Sequence, residues 1–98
     1  MDDDMVKLMN KLKFIEQLMP YVADENALSR IRVDLHDLFE ICTWFIGCIE
    51  KNANQKLTSD QLESFLIDLD INFVQHVDFH VKSLRSEIKL ALNNFPDT

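Results

Sequence analysis

Apolar residues recur every three or four positions through almost the whole chain, and this spacing constrains the fold more than any other feature. An α-helix has 3.6 residues per turn, so residues spaced in this way line one side of a helix. The 98-residue chain contains only one glycine and two prolines, which argues against a turn-rich β fold. We therefore expect one all-α domain over residues 1–98, a small antiparallel bundle of three long helices.

The first two predicted helices are separated by a proline. Helix one is predicted over residues 3–19 and ends before Pro20, because proline breaks the backbone hydrogen-bond ladder. Its apolar stripe consists of Met5, Leu8, Leu12, Ile15 and Met19. Helix two is predicted over residues 24–51, with Asp24 as its N-cap. Nine of the twelve residues from Leu38 to Ile49 are apolar, so this helix needs neighbours on nearly every side.

The third predicted helix follows a polar loop at residues 52–56. Thr58 and Gln61 have the spacing of a capping box, which places the start of the helix at Ser59. Its apolar stripe runs through Leu62, Leu66, Leu69, Phe73, Val77, Leu84, Ile88, Ala91 and Phe95. A straight helix over residues 59–94 would be about 54 Å long and would overhang the others. A break near residues 70–72 would give a fourth helix, and the sequence leaves both counts open.

The net charge and the length of the apolar runs indicate which partners and which cellular compartment to expect. Seventeen acidic residues against ten basic ones give a formal net charge of −7, so no nucleic-acid partner is expected. No apolar run approaches the roughly 20 residues of a membrane span, and the N-terminus has no secretory pattern. We therefore expect a cytoplasmic protein without a membrane partner. Cys42 and Cys48 are expected to be reduced, buried thiols.

The histidines are the residues that could hold a metal ion. His76 and His80 are four residues apart on the third predicted helix, a spacing that can hold one ion. The metalloprotease pattern needs a glutamate directly after the first histidine, where Val77 stands. We favour a packed or hydrogen-bonded pair and expect no cofactor. A metal-binding helical protein that also uses His36 is the second alternative.

Carboxylates, together with aromatic residues that lie outside the apolar stripes, indicate protein binding. Between Val33 and His80, nine carboxylates are opposed only by Lys51 and Lys56. The predicted partner-binding residues are Asp34, Asp37, Glu40, Trp44, Asp60, Glu63, Asp68, Asp70, Asp78 and Phe79. Such a surface would attract a basic protein and fix its orientation. Because the chain has neither a phosphate-binding loop nor a nucleophile elbow, we expect no enzyme.

The leading interpretation is a non-catalytic, acidic inhibitor of the physical type of immunity proteins and antitoxins, without a motif of any particular family. The first alternative is a structural or regulatory homodimer. Its predicted interface consists of Ile41, Trp44 and Cys48, which lie off the main stripe of helix two. A small chain gains core area by pairing in this way.

Overall fold

The structure is a computed structural model that describes residues 3–96, apart from the side chain of Met5, a member of the predicted first stripe. Every regular element in this part of the chain is helical, which confirms the all-α prediction. In order, the elements are α1 (Asp3–Lys11), a 3₁₀-helical segment (Leu12–Tyr21), α2 (Glu25–Asn52), α3 (Ser59–Asp68), a π-helical turn (Leu69–Val74) and α4 (Gln75–Leu92). Among the described residues, no helix combines the length and the apolarity that a membrane-spanning segment requires.

Local capping signals set the ends of the helices. The Asp24 carboxylate accepts a hydrogen bond from the Ala27 N–H at 2.9 Å, which confirms the predicted N-cap of α2. Thr58 and Gln61 each accept a hydrogen bond from the other's backbone N–H, at 3.2 Å and 2.9 Å, and this confirms the capping box of α3. Just beyond α2, Asn54 has a φ of 65°, a left-handed conformation that asparagine tolerates and that ends helices.

The first predicted helix changes its period halfway along. Leu12, Ile15, Leu18 and Tyr21 are three residues apart, which is the period of a 3₁₀ helix, so they form one line. Ile15 is buried and the other three are half-buried. The prediction that Met19 belongs to the stripe was wrong, because the tighter period turns Leu18 inward and leaves Met19 exposed.

The core lies at the end of the bundle where the 3₁₀ segment packs on α2 and α4. Its buried centre consists of Ile15, Leu28 and Ile31. Around this centre pack Leu12, Leu18, Val22, Leu35 and Leu84. The ring of Tyr21 stacks on that of Phe95, with the centroids 3.8 Å apart. This contact ties the end of the 3₁₀ segment to the residues that follow α4.

Helix α2 runs antiparallel to the third helix, which is formed by α3, the π turn and α4. Arg30 pairs with Glu87 near one end, and the ring of Phe45 stacks on Phe73 farther along. We call this line of contact the seam. Helices α2 and α3, both wholly within the described residues, have no extensive contact with each other, and α1 contacts chiefly the 3₁₀ segment. The end that carries the loop at residues 53–58 is therefore built mainly from two helices.

The sequence left open whether the third helix breaks near residues 70–72. The structure has a π-helical turn there, and the third helix continues through it. A π turn holds one more residue than an α turn, and this changes which residues of α3 face α2. The half-buried line runs through Phe65, Leu69, Phe73 and Val77. The prediction that Leu62 and Leu66 are covered was wrong, since they are 49% and 62% exposed.

Replacing Ile15 tests the packing of the 3₁₀ segment. Because Ile15 is 2% exposed, the substitution Ile15→Ala should lower the free energy of unfolding by about 2–4 kcal/mol, measured by urea denaturation. The neighbouring Phe14 is 64% exposed, so Phe14→Ala should change it by no more than about 0.5 kcal/mol. Equal losses for the two variants would contradict this packing.

Candidate functional site

His80 of α4 lies buried in the seam between two carboxylates of α2. Its Nδ1 is 2.9 Å from Asp34 Oδ1, and its Nε2 is 3.3 Å from Asp37 Oδ2. The side chains of His80 and Asp34 are each 6% exposed. A neutral imidazole carries only one N–H, so both carboxylates receive a donated proton only when both ring nitrogens carry one. This arrangement fixes how the two helices align.

The buried pair corrects one predicted site residue. Asp34 was expected on an exposed acidic surface, but it is 4% exposed and faces His80. A carboxylate taken out of water needs a charged or hydrogen-bonded partner. His80 of α4 meets Asp34 Oδ1, whereas the buried Oδ2 has no hydrogen-bond partner among the described residues. Asp34 is therefore a residue of the seam and is not available to a partner protein.

The predicted metal candidates His76 and His80 are packed against each other, with ring centroids 4.9 Å apart. Both nitrogens of His80 already meet carboxylates, so an ion held by this pair would have to displace one of them. A different group, His36, Asp37 and Glu40, places three possible ligand atoms within 4.8 Å of one another. This group was not predicted from the sequence, although Glu40 follows His36 by four residues, a spacing that places two side chains on one face of a helix.

In the His36 group, two carboxylates approach opposite sides of one imidazole. Asp37 Oδ1 is 3.1 Å from His36 Nδ1, and Glu40 Oε1 is 3.9 Å from His36 Nε2. Asp37 uses its other oxygen on His80. These distances describe a chain of carboxylate–imidazole contacts that links α2 to α4, and they extend the contacts of the seam towards the surface.

A groove runs along one side of the seam at the loop end. One depression, with a volume of about 450 Å³, is lined by residues of α2 and α3 that include Trp44, Cys48, Asp60, Phe65 and Asp68. A second depression of about 280 Å³ adjoins it at Trp44. Its other lining residues are Glu40, Ile41, Asn72 and His76. We call the two depressions together the acidic groove.

The acidic groove brings together four predicted partner-binding residues, Glu40, Trp44, Asp60 and Asp68. Asp37 is half-buried beside it, where it contacts both histidines. The other predicted residues are exposed elsewhere and are not among those that line the groove: Glu63, Asp70, Asp78 and Phe79. The two helices thus divide the predicted acidic surface into separate parts.

The structure places the three residues of the predicted dimer interface in different surroundings, and only Ile41 is too buried to form such an interface. Ile41 is 5% exposed, so the chain itself already covers it, while Trp44 and Cys48 line the acidic groove. Both cysteines are free, but Cys42 is exposed and only Cys48 is partly buried. The expectation of two buried thiols was therefore wrong for Cys42.

Two cations outside the groove are held by carboxylates. The Arg30 Nε lies 2.6 Å from Glu87, and this hydrogen bond raises the pKa of Arg30 above its usual value. The Lys82 Nζ lies 2.8 Å from Asp78, and the hydrogen bond likewise raises the pKa of Lys82. Among the side chains that line the acidic groove, Lys51 alone is a lysine or arginine. The groove therefore has an excess of negative charge.

No family model matches the chain, and no curated protein or solved structure matches it either. The acidic groove and the exposed surfaces around the seam are therefore the features that indicate a function.

Removing one member of the buried pair should be costly. We expect Asp34→Ala to lower the free energy of unfolding by about 3 kcal/mol, because it leaves the buried Nδ1 of His80 without its partner. The double replacement Asp34→Leu with His80→Leu should recover much of this loss, since it removes both polar groups. The control is Asp78→Ala, which breaks an exposed ion pair and should cost at most about 1 kcal/mol. Equal losses for Asp34→Ala and Asp78→Ala in urea denaturation would refute a stabilising role.

Proposed function

We propose that this chain is a non-catalytic protein-binding module that docks a basic segment of a partner protein in the acidic groove. The main support is Trp44, a tryptophan that is 39% exposed in a groove also lined by Glu40, Asp60 and Asp68. A partly exposed tryptophan within a charged rim has the composition of a binding hot spot. Lysine or arginine side chains of the partner fit both the carboxylates and the ring face.

The charge of the chain supports the same partner chemistry. With a formal net charge of −7, the chain attracts basic proteins over distances of about one Debye length, roughly 8 Å at physiological ionic strength. Such attraction speeds encounter and suppresses binding to acidic proteins. The partner in this proposal is therefore a basic protein rather than a nucleic acid.

An inhibitory role fits this kind of binding. A small acidic module that covers a basic functional surface blocks that surface without any chemistry of its own, as immunity proteins and antitoxins do. We propose this mode of action, in the cytoplasm, as the biological role of the groove. It predicts a stoichiometric complex in which the partner loses its activity.

Reversing charges in the acidic groove tests the proposal. In the triple variant Glu40→Lys, Asp60→Lys, Asp68→Lys, three reversals of two units each change the formal net charge from −7 to −1. The matched control is Glu63→Lys, Asp70→Lys, Asp78→Lys, which has the same net charge but leaves the groove residues unchanged. In capture experiments from lysate of the source organism, the wild type and the control should retain the same basic protein, and the groove variant should lose it.

The affinity for the captured protein, once purified, should also fall as ionic strength rises, because salt screens the attraction. Retention of the same protein by the groove variant and the control would sink the proposal. So would the absence of any basic protein that the wild type retains and the groove variant does not.

Fluorescence of Trp44 gives a direct measurement of docking. Trp44 is the only tryptophan of the chain, so in a partner without tryptophan it reports on the groove alone. Binding should shift its emission to shorter wavelength, because the partner displaces water from the ring. The control variant Glu63→Lys, Asp70→Lys, Asp78→Lys should show the full shift. Binding without a change in the emission spectrum would place the partner outside the groove.

A further inference from the structure

The side of the seam opposite the acidic groove is apolar, and the 3₁₀ segment covers only part of it. On α2, Leu28, Leu35, Cys42 and Ile49 are seven residues apart and so lie on one line. Leu28 and Leu35 pack in the core beneath the 3₁₀ segment. Beyond them Cys42 is exposed and Ile49 is 50% exposed. The 3₁₀ segment therefore covers this line of α2 in the core but leaves it exposed towards the loop end.

Neighbouring residues widen this uncovered line into a surface. The face includes Phe39 and Ile46 on α2, and Leu62, Leu66 and Val74 on the third helix, all between 46% and 62% exposed. Together with Cys42 and Ile49 we call these seven residues the apolar face. None of the seven carries a charge, but the exposed Asp70 lies between Leu66 and Val74 on the third helix.

The apolar face and the acidic groove lie on opposite sides of the seam. Residues two apart on a helix point about 200° from each other. Ile46 is two residues from both Trp44 and Cys48, and Leu66 is two residues from Asp68. Occupation of one surface therefore leaves the other open.

The chain exposes more surface than a compact monomer of its mass, as its elongated shape requires. The accessible area is 7589 Å², whereas a monomer of 11.5 kDa typically exposes about 5,800 Å². The radius of gyration, 17.5 Å, likewise exceeds the roughly 13 Å of a compact chain of this length. The excess is about 1,800 Å² per chain, and obligate homodimers bury about 1,000–2,500 Å² on each partner.

We propose that a second copy of this chain packs on the apolar face, related by a twofold axis. At the loop end, two helices share one uncovered apolar side. A twofold axis places the same side of a second copy against it, so each copy covers the other. The four helices of the two loop ends then form two layers, which cover the apolar face of each copy. This inference does not depend on the proposed function, because the acidic grooves stay on the outside of the dimer.

The charges around the face suit an antiparallel arrangement of the two copies. Glu50 and Glu63 are exposed and lie towards the loop end. An antiparallel alignment keeps these carboxylates of the two copies apart. A parallel alignment would bring the carboxylates of the two loop ends together.

Sedimentation velocity at tens of micromolar tests the dimer. The wild type should sediment at twice the chain mass of 11.5 kDa, and Ile46→Asp and Leu66→Asp should each sediment as monomers. Both side chains are more than half exposed, so these changes leave the core of the chain intact, as circular dichroism should verify. The control is Leu90→Asp, a substitution of an equally exposed leucine outside the face, which should remain a dimer.

The reactivity of Cys42 provides a second measurement. In a Cys48→Ser background, the dimer should protect Cys42 from maleimide, and Ile46→Asp should raise the alkylation rate at least tenfold.

A wild type that sediments as a monomer at 100 µM and whose Cys42 is alkylated rapidly overturns the inference, even if another protein binds the face. A dimer that persists in both Asp variants also overturns it. If the acidic-groove variant dimerises but loses the basic partner, both proposals stand, whereas retention of that partner refutes only the proposed function.

Discussion

The structure depends on a mismatch in helix length. Helix α2 has 28 residues and the third helix extends over residues 59–92, but the 3₁₀ segment that packs on both has only ten. Apolar cover is therefore concentrated at one end, where Ile15, Leu28 and Ile31 form the core. The loop end keeps its two helices together through the seam alone, and both of its sides remain accessible.

The seam owes its alignment to polar contacts as well as apolar ones. Sliding α4 along α2 would separate His80 from Asp34 and leave two buried charged or polar groups without partners. Buried ion pairs often add little net stability compared with apolar residues, but they penalise other alignments strongly. The stacked rings of Phe45 and Phe73 support the same alignment farther along. The seam thereby holds the acidic groove and the apolar face in position.

The two exposed surfaces suit different tasks because their chemistry differs. The acidic groove combines one tryptophan with carboxylates, which favours selective binding of a basic segment. The apolar face has no charge and is suited to permanent burial, as in obligate homodimers. In the proposed assembly, pairing through the apolar face would display two acidic grooves, and a partner with two basic segments could bind both with increased avidity.

The sequence by itself determined the helical class, the cap at Asp24 and the capping box of Thr58, because these depend on contacts within a few residues. It also identified the carboxylates and Trp44 as candidate binding residues. Tertiary structure alone decided that Asp34 is buried with His80 and that Leu62 and Leu66 are exposed. Asp34 is buried because its contact with His80 joins residues 46 positions apart, which no local pattern reveals. Leu62 and Leu66 are exposed because the π turn changes the number of residues per turn, and so changes which residues of α3 face α2.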